Sequence, residues 1–215
     1  MRRRLGSLTT LFLTLLLVVP ASAWADSWTG PDPAGDATVY SFDPQPEPCG
    51  TVTRTPSTEG DVRRLRVRHT PDLVVVSVDV TGLVNRYRTS TMFDVVTPDR
   101  EWTVDVSHYQ GRTEVDYFRT PRIRQDQVGE CGSYAYAVRP RTCRGAVGTI
   151  DVRGGRITVS VPRRCLGTPR WVRAGASVYC GRGHGSSDGW RPAGADDGDV
   201  TTAVVGRRVY AGARR

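Results

Sequence analysis

Beyond residue 60 the chain alternates apolar and polar residues with a period of two. Leu65, Val67 and His69 interleave with Arg64, Arg66 and Arg68, as in a strand with one buried face. After the turn Thr70-Pro71-Asp72, Val74, Val76, Val78 and Val80 share one face of a second strand and Val75 occupies the other. The two segments predict a β-hairpin whose second strand is central in its sheet. Residues 91–96 form a short strand ending at Thr97-Pro98. Trp102, Val104 and Val106 then alternate with Thr103, Asp105 and Ser107, and Gln110-Gly111-Arg112 turns the chain into a strand over 113–119. Further strands are predicted at 133–138, 146–152, 157–161, 171–179 and 200–205, with Arg153-Gly154-Gly155-Arg156 as another hairpin turn. No helical stripe occurs, and Pro162 to Gly167 holds at most one helical turn. Short strands punctuated by turns at this spacing predict an all-β fold, an antiparallel β-sandwich of the jelly-roll or immunoglobulin-like type.

The two ends break this pattern. Arg2, Arg3 and Arg4 precede an apolar run over 11–19, Pro20, and the small-residue sites Ala21-Ser22-Ala23 and Ala23-Trp24-Ala25. Residues 1–25 therefore read as a secretory signal peptide, cleaved before Trp24 or Asp26. The apolar run is too short to span a bilayer and none follows it, so no transmembrane anchor is expected. Residues 26–60 are dense in Pro, Gly and Asp and predict an irregular arm with at most one edge strand. Residues 61–206 form the sandwich domain, and 207–215 a loose basic tail.

Composition narrows the partners. All thirty basic residues are arginine, and loss of the signal's three arginines takes the formal charge from +8 to +5. That suits solubility or attraction to anionic polymers, and an exported chain is not expected to meet nucleic acid. The five cysteines, Cys49, Cys131, Cys143, Cys165 and Cys180, lack zinc-site spacing and in an oxidising compartment predict disulfides. Their odd number leaves at least one thiol buried, free or paired between chains.

No catalytic motif stands out. His184 lies beside Ser186, Ser187 and Asp188, but neighbours in one loop cannot adopt triad geometry. Two groups of carboxylates, Asp32, Asp36 and Asp61 near the first strands and Asp196, Asp197 and Asp199 near the end, are candidate Ca²⁺ ligands if the termini meet; turn formation is the commoner role of such residues. Arg64, Arg66 and Arg68 share a strand face and form a candidate basic strip, set against the plainer role of guarding a strand edge. Trp102, Tyr109, Tyr117, Tyr134, Tyr136 and Trp190 are candidate sugar-stacking aromatics, set against core packing.

The elements Asp32-Pro33-Ala34-Gly35-Asp36 and Val161-Pro162-Arg163-Arg164-Cys165-Leu166-Gly167, with Pro169-Arg170-Trp171 following, resemble a set of small secreted actinobacterial proteins with D-P-x-G-D and P-x-x-C-L-G segments. More distantly, the Asp-led strand and apolar hairpin are similar to β-sandwiches of the DOMON and family-9 carbohydrate-binding type. The closer resemblance implies a Cys143–Cys165 bridge and brings no catalytic residues. Cys131 and Cys180, which share the C-terminal half, are the candidate second pair. The expectation is a secreted, non-catalytic binding module for cell-wall or environmental polysaccharide. Its rivals are a hydrolase with an unrecognised site and an inhibitor-like protein-binding module presenting the Cys131–Cys143 loop.

Overall fold

The computed structural model describes residues 26–44, 49–83, 88–121, 128, 138–181, 185–195 and 204–212. The predicted signal peptide lies outside this set, as do Tyr134, Tyr136, Cys131, His184, Asp196, Asp197 and Asp199. Thirteen strands are described: β1 (Asp26–Pro31), β2 (Thr38–Asp43), β3 (Thr51–Pro56), β4 (Asp61–His69), β5 (Leu73–Thr81), β6 (Arg88–Val96), β7 (Glu101–Tyr109), β8 (Arg112–Arg119), β9 (Val147–Asp151), β10 (Arg156–Pro162), β11 (Trp171–Gly181), β12 (Ser186–Gly189) and β13 (Val209–Tyr210). One sheet has the order β1-β4-β5-β10-β9; the other runs β3-β2-β12-β11-β6-β7-β8, with β13 pairing the start of β11. Every described pairing is antiparallel, and the two sheets pack as the sandwich that the period-two pattern predicts. Among the described residues no helix is long and apolar enough to cross a membrane.

The core follows from the alternation. Leu65, Val67, Val74, Val76, Val78, Ile157, Val159 and Val161 face inward from one sheet; Phe93, Val95, Val104, Val106, Ala174, Ala176 and Val178 face them from the other. Removing each valine or leucine from water contributes about 1.5–3 kcal/mol, and such positions hold the register. The β7–β8 turn places Gln110 at φ +50° and Gly111 at φ +79°, the backbone that a two-residue hairpin loop requires. A 3-10 turn over Arg163–Leu166 is the one helical turn expected, and Cys143 and Cys165 are bridged beside it.

Three expectations need correction. The arm is not irregular: β1 edges one sheet, and β2 and β3 edge the other. Its prolines fit because Pro31 and Pro56 end edge strands, where a missing N–H breaks no ladder. The described part of the tail, 207–212, is pinned rather than loose. Val209 is buried and pairs with Val172, its carbonyl lies 3.1 Å from His69 Nδ1, and the Tyr210 amide donates to Asp26. Cys180 does not bridge Cys131; it keeps its thiol on the inward face of β11, fully buried, whereas Cys49 is disulfide-bonded.

Candidate metal centre

The D-P-x-G-D element follows β1, and its backbone continues along β4 through an Asp32 amide donating to the Arg63 carbonyl. Gly35 has φ +80°, a left-handed conformation that side chains resist. It turns the chain so that Asp36 comes back beside Asp32. A bulge between Val62 and Arg64 shifts the β4–β5 register, so Asp61 and Val62 are both buried. Strand β12 then projects Asp188 inward, opposite Val178.

Carboxylate oxygens of Asp32, Asp36 and Asp188 thereby gather within 4.8 Å of one another. Asp188 is held from both sides: the Val62 amide donates to Oδ2 at 2.6 Å and the Gly189 amide to Oδ1 at 2.8 Å. Asp32 Oδ1 accepts the Arg191 amide, but Asp32 Oδ2 and Asp36 Oδ1 are buried without a hydrogen-bond partner. Asp32 is only 7% exposed and Asp188 2%. Asp61 stands beside the cluster with different work. Its Oδ1 accepts the Gly35 amide at 2.9 Å and its Oδ2 pairs with Arg63 at 3.2 Å, so it shapes the turn that carries the other two aspartates.

Burial of so much negative charge is costly. Desolvation, opposed by the Arg191 amide and reinforced by Asp188, Asp36 and Asp61, pushes Asp32 up to about 8. Desolvation likewise raises Asp188 to about 7 against its amide donors, and raises Asp36. Without a cation these groups take protons that the unfolded chain, with aspartates near 3.8, does not hold. A carboxyl with a raised folded pKa makes stability fall as pH rises through the window between the two values. In chelator, the melting temperature is therefore expected to drop from pH 6.5 to 8.5, and Asp32→Asn to flatten that slope. Equal slopes in both proteins would contradict the assignment.

Three carboxylates with two orphaned buried oxygens match a hard divalent cation. Ca²⁺ takes oxygen donors in irregular geometry, and the set contains no Cys or His that would favour zinc.

Trp190, next to the Arg191 amide that donates to Asp32, is 2% exposed. Its indole N–H lies 3.1 Å from the Gly30 carbonyl and 3.2 Å from that of Pro31, and Trp28 packs edge-on at 5.2 Å. A Cβ on Gly30 would come within 2.6 Å of the Trp190 ring, so glycine is required for this approach.

The other sequence candidates fall elsewhere. Trp102, Tyr117 and Trp190 are buried and offer no sugar platform: Trp102 stacks on Tyr117 at 5.2 Å, and the Tyr117 hydroxyl donates to the Cys165 carbonyl. Tyr109 alone of the described aromatic candidates is well exposed, beside the β7–β8 turn. Of the basic strip, Arg68 is exposed, while Arg64 and Arg66 converge with Arg156 on Asp79 at 3.9, 2.7 and 2.8 Å. Burial alone would raise Asp79, but hydrogen bonds from Arg156 and Arg66 outweigh it and hold its pKa below the ordinary value. Asp188 and the packing of Trp190 against β1 are not evident in the sequence, because β12 reads there as a polar glycine-rich loop. Comparison with family models, curated proteins and solved structures gives no match.

Proposed function

We propose that the protein is an exported, non-catalytic β-sandwich binding module whose N-terminal arm is clamped to the domain by a divalent cation, Ca²⁺ by preference. The observation that carries this reading is the pair of buried, unpartnered oxygens, Asp32 Oδ2 and Asp36 Oδ1, gathered with the Asp188 carboxylate. A monatomic cation satisfies both and offsets the repulsion. Asp32 and Asp36 come from the arm and Asp188 from β12, so one ion joins segments more than 150 residues apart in sequence. Export is supported by the signal-like residues 1–25 and fits the Cys143–Cys165 bridge. The D-P-x-G-D element that carries the resemblance to secreted actinobacterial proteins supplies two of the three ligands.

Binding to the folded state alone stabilises it by RT ln(1 + [L]/Kd), about 2.7 kcal/mol at a hundredfold excess over Kd. Extracellular calcium modules have Kd values of about 10⁻⁴–10⁻³ M. At 10 mM Ca²⁺ the melting temperature is expected to rise by roughly 5–10 °C for a chain of this size, and EDTA to reverse the rise. A melting temperature indifferent to Ca²⁺ and EDTA would overturn the clamp.

A further inference from the structure

A groove of about 530 Å³ opens where the β6–β7 turn meets the end of β8, sharing no residue with the aspartate cluster. Four arginines, Arg100, Arg119, Arg139 and Arg141, are among its lining residues, together with Asp99 and Glu101. Among the described residues none of these arginines forms an ion pair within 4 Å, in contrast to the trio around Asp79.

The walls are built rather than loose. Thr97 closes the β6–β7 turn through its own amide to the Arg100 carbonyl at 2.8 Å and through a hydroxyl that accepts the Arg100 amide at 3.1 Å. The chain after Arg119 is tied by the Thr120 amide to the Glu101 carbonyl at 3.0 Å. Arg141 is fixed by its amide to the Tyr117 carbonyl at 2.8 Å, and its guanidinium lies 5.8 Å from the centre of the Trp102 ring. These bonds fix the backbone that carries the arginines, and guanidinium groups are suited to carboxylate and phosphate, which they bind with two parallel hydrogen bonds.

We propose that this groove binds an acidic glycan, taking its carboxylate or phosphate groups on the arginines. The mixed lining favours a glycan over a bare oxyanion. A sugar unit carries hydroxyl donors as well as its oxyanion, and Asp99 and Glu101 supply acceptors for them beside the arginines. The volume falls in the range of small-ligand sites and accommodates one or two sugar units. The inference rests on the reading of the protein as an extracellular binding module and names its ligand class.

The test measures binding of the full mature chain to hyaluronate, which presents carboxylates, to poly(glycerol phosphate), which presents phosphates, and to neutral dextran. The double substitution Arg100→Gln/Arg119→Gln is compared with Arg68→Gln/Arg153→Gln, which removes the same charge from exposed sites elsewhere. The groove substitution is expected to weaken binding of at least one acidic polymer by about tenfold or more, as loss of two charge-assisted contacts implies, and the control by less than twofold. The preferred polymer identifies the oxyanion. Equal loss in both variants, dextran bound as tightly as the acidic polymers, or no acidic polymer bound by the unsubstituted chain at low salt would each overturn the proposal. The groove substitution leaves the Ca²⁺-dependent melting shift intact, so failure of the groove and failure of the clamp are read separately.

Discussion

Replacing Trp190 with alanine is expected to lower the unfolding free energy by about 3–5 kcal/mol, the usual cost of deleting a large buried aromatic side chain. The indole fills the space between the arm and β12, stands edge-on to Trp28, and places its N–H on the last two carbonyls of β1. Its removal leaves a cavity and two weakened carbonyl contacts, and it detaches the Asp32 turn from the Arg191 amide that follows in sequence. Trp190→Phe keeps a ring but loses the N–H, for an expected cost of about 1–2 kcal/mol. Urea denaturation reads both. Amide exchange should show β1 opening first in the alanine variant, because that strand has a single neighbour, β4. A cost below about 1 kcal/mol for Trp190→Ala would mean that the indole does not hold β1 to the domain.

The second large effect concerns the bridge. Cys143 and Cys165 are separated by 22 residues, and the loop they close contains the whole β9–β10 hairpin. Restricting a loop of this length in the unfolded chain contributes about 3 kcal/mol. The double substitution Cys143→Ala/Cys165→Ala is therefore expected to cost that much in urea denaturation. The loss should be concentrated at the edge strand β9, which lies against β7 and β8 so closely that a Cβ on Gly148 would meet Val106 and Val115 at 2.7 Å. Cys180→Ala should cost less, since it removes only a small buried thiol. If the double substitution left stability unchanged, the packing of Gly148 and the 3-10 turn would be holding this corner without the bridge.

What was legible in the sequence was whatever has a short range. The alternation of Val74, Val76, Val78 and Val80, and of Trp102, Val104 and Val106, fixes which face is buried, and β5 and β7 follow it. The turns at Gln110-Gly111 and Gly154-Gly155 carry their own backbone requirement. The proximity of Asp32 and Asp36 is readable because both lie in one tight turn. The rest depends on contacts that no local pattern encodes. Asp188 joins them only because β12 pairs with β11 and its carboxylate meets the Val62 amide 126 residues away. Trp190 sits in a stretch whose glycines and serines read as a surface loop, yet it is among the largest fully buried side chains. The arm departs from its composition because Pro31 and Pro56 stand at strand ends, a position that proline content does not encode. A shared C-terminal half says nothing about the inward face of β11, where the Cys180 thiol is buried.

The central claim is that Asp32, Asp36 and Asp188 hold one divalent cation between the arm and the domain. Its most direct test is calorimetric titration of chelator-stripped protein with CaCl₂ at pH 9, above the value of about 8 to which burial pushes Asp32, so that few protons compete. The account predicts one ion per chain with a Kd on the order of 10⁻⁴ M or tighter, weakened at least about tenfold by Asp32→Asn or Asp36→Asn while both variants stay folded. No binding by the unsubstituted chain, or binding that both substitutions leave unchanged, would contradict it.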